Sequence, residues 1–76
     1  MTREEIFALV EKELRNAIEK HGSTFSSRKE MMNALIDEVC EVAEAIGRND
    51  IDGEHGLKLE LIQVIVVCLK ALMGLE

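Results

Sequence analysis

Apolar residues recur at intervals of three and four along three segments of this chain, and more polar stretches separate the segments. That spacing places the apolar side chains on one face of an α-helix, which has about 3.6 residues per turn. We therefore predict helices over residues 2–20, 28–46 and 57–73. The pattern indicates an all-α fold in which residues 1–76 form a single helical domain.

Residues at the predicted helix ends support these bounds. Thr2 and Ser27 each stand three residues before a glutamate. That arrangement is typical of a capping box, in which the side chain of each residue accepts a hydrogen bond from the backbone N–H of the other. Gly22 and Gly47 follow the first and second helices, and glycine adopts the left-handed conformation at a helix end without strain.

The last predicted helix is apolar on nearly every side, which is typical of a helix buried over most of its surface. Two partner helices cannot cover it completely in a chain of 76 residues. The chain is 47% hydrophobic but only 3% aromatic, and small domains with limited cores often gain more core by oligomerisation. We expect a three-helix subunit forming an antiparallel bundle, completed in a homo-oligomer that is a dimer or a tetramer.

The charge of the chain restricts its partners. A net charge of −6 argues against DNA, RNA or an anionic membrane surface as the main partner. It is compatible with a nucleotide bound through metal ions, because the metal supplies positive charge. The apolar run over residues 61–72 is too short to span a bilayer, which takes about 20 residues.

The cysteines and the N-terminal segment indicate a compartment. Cys40 and Cys68 lie within apolar helical patterns and lack C-x-x-C spacing. We interpret them as small core residues in a reducing environment. The N-terminal segment is acidic and has no apolar signal region, so we expect a cytoplasmic protein.

Four acids share one arc of the central helix: Asp37, Glu38, Glu41 and Glu44. Residues three apart lie on the same helix face, so Glu38 and Glu41 can bind one cation. Glu60 opens the last helix, and Gln63 lies one turn further on the same face. Since Mg²⁺ prefers oxygen ligands, we predict that Glu38, Glu41, Glu60 and Gln63 meet around Mg²⁺, with Mn²⁺ as the alternative ion.

A solvated acidic face is the other interpretation of these residues, and it leaves a helical interaction module without a metal. Two observations favour the metal site. The acids lack the Lys or Arg partners at four-residue spacing that a salt-bridged outer face shows. Glu60 and Gln63 also interrupt a strongly apolar segment, where an unpaired buried carboxylate is costly and metal coordination offsets the cost.

These motifs resemble those of the MazG-like all-α nucleoside triphosphate pyrophosphohydrolases. That family carries E-x-x-E on one helix and E-x-x-D on the next. The letters E-V-C-E at residues 38–41 match the first motif, and E-L-I-Q at residues 60–63 matches the second except at its last position. The segment K-H-G-S-T-F before the central helix also looks like a short, phage-type branch of the group with Gln in place of the last Asp. The resemblance covers residues 18–73.

The resemblance implies a MazG-like helical bundle and Mg²⁺-dependent hydrolysis of a nucleoside triphosphate, NTP or dNTP, to the monophosphate and pyrophosphate. It implies that Glu38, Glu41 and Glu60 are metal ligands, with Gln63 at the fourth position. Glu38 and Glu41 are the implied catalytic residues, one of them orienting or deprotonating the attacking water. Because Gln63 carries no charge, the alternative is a catalytically weak or inactive helical oligomer that binds nucleotide or a protein partner.

Candidate substrate contacts lie near the starts of the central and last helices. Arg28, Lys29 and Lys58, together with Arg48, can supply positive charge to phosphates, and their spacing does not choose among them. Phe25, in the loop before the central helix, can stack on a base or fill the core.

Two other polar residues, His55 and Lys70, are not expected to bind the metal. His55 is expected in the loop or at the entry to the last helix rather than on a metal. Lys70 is expected to reach out of the apolar helix or to pair with an acid.

Overall fold

Three helices make up the computed structural model, which describes residues 1–75: α1 (Arg3–His21), α2 (Arg28–Arg48) and α3 (Leu57–Gly74). No strand occurs in that range, so the predicted all-helical class is confirmed. Each helix begins and ends within two residues of its predicted position. Over the same residues, no helix combines the length and the apolar content that a membrane span requires.

Hydrogen bonds to side chains fix the starts of the first two helices. At α1, the Thr2 hydroxyl accepts from the Glu5 N–H and the Glu5 carboxylate accepts from the Thr2 N–H, both at 3.1 Å. This capping box is complete. At α2, the Ser27 hydroxyl accepts from the Glu30 N–H at 3.1 Å, but the Glu30 carboxylate accepts from the Ser26 hydroxyl. The second predicted capping box is therefore only half formed.

The first two helices end with different types of capping residue, a glycine for α1 and an asparagine for α2. Gly22 caps α1 with φ of 84°, as its sequence position predicts. Gly47 lies inside α2, which continues to Arg48, and the predicted stop there is wrong. Asn49 ends α2 at φ of 55°, with its N–H donating to carbonyls of the last turn. Asparagine is the residue that most often replaces glycine in this left-handed position.

α3 lies in the middle of the subunit and packs against both α1 and α2, whereas α1 and α2 do not pack on each other over residues 1–75. α1 runs in the same direction as α3: Gln63 donates to Glu13, and Thr24, just after α1, lies beside Gly74 at the end of α3. α2 runs antiparallel to both. The three helices form a layer of 36 × 26 × 19 Å with a groove between α1 and α2.

The buried core is small because only α3 joins the other two helices. Its buried apolar residues are Val10, Ala45, Ile62 and Val66. Phe7 is a large apolar residue of α1, but its side chain is 65% exposed. α1 packs on one helix only, so a narrow stripe around Val10 is covered, and Phe7 projects about 60° to one side of it.

Large apolar side chains form two exposed stripes. The α2 stripe consists of Met32, Leu35, Ile36, Val39 and Ile46, and the α3 stripe consists of Leu61, Ile65 and Leu72. The covered side of α2 instead carries Ala45, with Glu38 and Val42 partly buried. The bulkiest apolar face of α2 thus points away from the core of its own chain.

The two cysteines lie on the same uncovered surfaces. Both are free thiols, and both Cys40 and Cys68 are exposed. The prediction that they are core residues is wrong within the single chain. Their helices do present apolar faces, but no other element of residues 1–75 covers those faces.

Candidate metal centre

Three carboxylates from two helices meet at one point of the fold. Glu38 and Glu41 lie one turn apart on α2, and Glu60 lies in the first turn of α3. One carboxylate oxygen from each lies within 4.8 Å of the other two. We call Glu38, Glu41 and Glu60 the carboxylate cluster. The antiparallel packing of α2 on α3 brings the three carboxylates together.

The carboxylate cluster is only partly exposed to solvent. Glu60 is 4% exposed, Glu38 is partly buried and Glu41 is exposed. Oε2 of Glu38 and Oε2 of Glu60 are buried and have no hydrogen-bond partner. A buried carboxylate oxygen without a partner is costly. These two oxygens therefore keep their lone pairs available for a cation.

Burial and the nearby negative charge of Glu41 raise the pKa values of Glu38 and Glu60. Burial, followed by a hydrogen bond and the charge of Glu41, raises the pKa of Glu38 to about 7. Burial is also the largest cause that raises the pKa of Glu60, and contact with Glu41 is the next. The His55 ring opposes this rise: its Nδ1 lies 3.6 Å from Oε1 of Glu60. A divalent cation bound there would offset the repulsion among the three carboxylates.

Gln63 lines the same groove as Glu38 and Glu41, but its side chain is turned toward α1. Its Nε2 donates to Oε2 of Glu13 at 3.3 Å. The amide nitrogen is thereby engaged, and the amide oxygen is the only atom of Gln63 that could bind a cation. The predicted fourth position therefore lies next to the carboxylate cluster, and its amide nitrogen is bound to α1.

The predicted phosphate contacts are dispersed over the surface. Arg28 and Lys29 are exposed at the start of α2 and do not line the groove. Lys58 pairs with Asp52, with Nζ 2.7 Å from Oδ1. The Arg48 guanidinium donates to the His55 carbonyl at 3.1 Å. The structure thus brings none of these four cations into the groove.

The groove between α1 and α2 has a volume of about 490 Å³ and α3 as its floor. Phe25 lines one part of it and is half-buried, as expected for a residue near the core. Lys70 lies beneath it, with Nζ 4.5 Å from the ring centroid. Lys70 was expected to reach out of α3 or to pair with an acid, but its side chain is buried and forms no salt bridge within residues 1–75. The available signal for its place in the groove was its position two turns after Gln63 in an apolar segment, which places both side chains on one face.

His55 is a second residue beside the carboxylate cluster that was not predicted as part of the site. The residue lies in the loop, as predicted, but its ring contacts the buried Glu60 carboxylate. It borders a second depression, of about 480 Å³, whose lining also includes Glu41, Glu44, Arg48 and Glu60. Loop residues that precede a helix are close in space to its first turn, which was the signal for this contact.

Comparison of the chain with protein-family models, with curated proteins and with solved structures found no match.

Proposed function

We propose that this protein is a divalent-cation-dependent nucleotide pyrophosphohydrolase that converts a nucleoside triphosphate, NTP or dNTP, to the monophosphate and pyrophosphate. The observation that supports the proposal is the carboxylate cluster, whose three oxygens lie within 4.8 Å of one another. The choice of reaction rests on the resemblance of the E-V-C-E and E-L-I-Q motifs to those of the MazG-like family.

Mg²⁺, or Mn²⁺ in its place, fits the residues present. All three side chains offer hard oxygen ligands, and two of those oxygens are buried without a partner. Glu38, Glu41 and Glu60 are the proposed ligands. When bound, the cation neutralises phosphate charge and lowers the pKa of a coordinated water.

In the proposed reaction, water breaks the anhydride bond between the α- and β-phosphates. Pyrophosphate leaves with the bridging oxygen, and one proton of the water passes to a carboxylate. Glu41 is suited to orient this water because it is the exposed member of the carboxylate cluster. Glu38 is the second proposed catalytic residue, because it lies one turn from Glu41 on the same face of α2.

The proposal includes a homo-oligomer, a dimer or a tetramer, built from a MazG-like helical bundle. The α2 and α3 stripes support it, because their eight side chains are 36–66% exposed. Apolar patches of this extent are typical of protein–protein interfaces. A second copy of the chain is the simplest occupant, since antiparallel pairing of helices across a twofold axis completes a four-helix core.

A second candidate function is a MazG-like oligomer that binds nucleotide or a protein partner with little or no turnover. The hydrogen bond from Gln63 to Glu13 favours it, because that amide adds no charge to the metal site. Gln63→Asp separates the two functions. Turnover that appears only in this variant would support the binding protein, whereas turnover in the native chain supports the enzyme.

The test begins with calorimetric titration of Mg²⁺ and Mn²⁺ into the native chain and into the double variant Glu38→Gln/Glu41→Gln. We expect binding that the double variant loses. Glu44→Gln is the matched control, since it removes one charge from an exposed position of the same helix outside the carboxylate cluster.

Pyrophosphate release from nucleoside triphosphates is then measured with Mg²⁺, and we expect it to disappear in Glu41→Gln. The absence of cation binding to the native chain, with and without a nucleotide, would refute the proposal. The acids would then be a solvated face.

A further inference from the structure

Lys70 is a buried cation without an anionic partner in the described structure. Its side chain is 6% exposed, and across residues 1–75 its ammonium takes part in no salt bridge. Its contact is with Phe25, whose ring centroid lies 4.5 Å from Nζ. The face of an aromatic ring attracts a cation but replaces only part of the hydration that burial removes. The arrangement holds an ammonium in place while leaving its hydrogen-bond donors free.

The ammonium shares one groove with two members of the carboxylate cluster, Glu38 and Glu41. Lys70, Phe25, Gln63, Glu38 and Glu41 all line this space of about 490 Å³. Lys70 follows Gln63 by seven residues, so it lies about 10 Å further along α3 on nearly the same face. The groove therefore offers carboxylates in one part and a fixed positive charge about two turns away. A polyphosphate that carries a divalent cation complements this arrangement. Its cation would meet the carboxylates, and a free phosphate group would meet the ammonium.

We propose that Lys70 is a phosphate-binding residue, whose ammonium donates to a phosphate oxygen of a polyphosphate ligand in the groove. The inference rests on the proposed function, because the other phosphates would lie at the cation of the carboxylate cluster. Phe25 keeps the ammonium in the groove and so acts as a positioning residue. None of the four cations that the sequence suggested for this role reaches the groove.

The remaining charges of the groove make this binding dependent on a divalent cation. Three further acids line it, Glu13, Glu30 and Asp37, against one additional lysine, Lys20. A free polyphosphate is repelled by this excess of negative charge, and its Mg²⁺ complex is repelled less because the cation cancels part of the phosphate charge. We therefore expect inorganic tripolyphosphate to bind well only when Mg²⁺ is present.

The experiment measures two affinities by calorimetry, for Mg²⁺ alone and for inorganic tripolyphosphate with Mg²⁺ present. The proteins are the native chain, Lys70→Gln, Lys70→Arg and the control Lys12→Gln, which removes an exposed lysine of α1 outside the groove. We expect Lys70→Gln to keep its affinity for Mg²⁺ and to lose roughly tenfold to hundredfold in tripolyphosphate affinity, as for a lost charge-assisted hydrogen bond. Lys70→Arg retains the charge and should bind within about fivefold of the native chain.

The outcomes separate the two proposals. Equal tripolyphosphate affinity in the native chain and Lys70→Gln, with Mg²⁺ still bound, overturns the role of Lys70 alone. Lys70-dependent tripolyphosphate binding that is unchanged when a chelator removes Mg²⁺ supports the role of Lys70 and overturns the proposed metal site. Binding of neither ligand by the native chain overturns both. If Lys70→Gln fails to fold by circular dichroism, Lys70→Met, which keeps the apolar stem, takes its place in each comparison.

Discussion

Replacing Glu38 by glutamine should stabilise the metal-free protein at neutral pH. The pKa of Glu38 is about 7 in the folded chain, against an ordinary value of 4.5. The folded state therefore holds a proton that the unfolded state releases between these two pH values. The resulting stabilisation is complete below about pH 4.5 and is lost as the pH rises through about 7. Glutamine does not titrate, so the variant lacks this loss.

The size of the effect follows from the pKa difference. An interval from 4.5 to about 7 corresponds to about 3 kcal/mol at about 1.36 kcal/mol per pH unit. Glu38 is only partly buried, and solvent screening reduces the value, so we expect roughly 1–2 kcal/mol. For a domain of this size, that change moves the melting temperature by roughly 5–10 °C.

Urea unfolding followed by circular dichroism measures the effect at pH 5 and pH 8, with a chelator present and the protein concentration fixed. The native chain should lose stability between the two pH values, and Glu38→Gln should lose much less. Saturating Mg²⁺ should then stabilise the native chain at pH 8 but not the variant, since the cation replaces the proton. Glu44→Gln, the exposed control on the same helix, should follow the native chain throughout.

One result would refute this reasoning. If the native chain, Glu38→Gln and Glu44→Gln had the same pH dependence of stability, Glu38 would not be desolvated or repelled by its neighbours. The carboxylate cluster would then be open to water, and the case for a cation in it would lose its physical basis.

Two further predictions concern the surface and the backbone. Val39→Glu places a charge in the α2 stripe, and we expect sedimentation to show a dimer or tetramer for the native chain and a monomer for the variant. Ala8→Glu on the exposed side of α1 should leave the assembly intact, and a monomeric native chain would contradict the proposed oligomer. Gly47→Ala lies inside α2 with open space around the new methyl group, so it should stabilise the protein by roughly 0.5–1 kcal/mol. Gly22→Ala, at φ of 84°, should destabilise it by roughly 1–3 kcal/mol. Urea unfolding compares the two glycine variants, and effects of the same sign would contradict the backbone assignment.

The sequence by itself determined the local features of this protein. Helix position follows from the three- and four-residue spacing and from capping residues such as Thr2, whose hydrogen bonds reach only three residues along the chain. The shared face of Glu38 and Glu41 is also a local property, set by the helix period. The end of α2 at Asn49 rather than Gly47 was missed because both residues are suitable caps and the choice depends on the loop that follows.

Only the tertiary structure decided which faces are covered and what lies across the groove. The spacing of apolar residues gives α2 one apolar face, but α3 packs on the side that carries Ala45 and Glu38. Helix periodicity defines faces without saying which partner each one meets. The contacts of Gln63 with Glu13 and of Lys70 with Phe25 span 50 and 45 residues of sequence. Such pairs depend on how the helices are rotated and aligned against one another, and that arrangement is set by the packing of all three helices together.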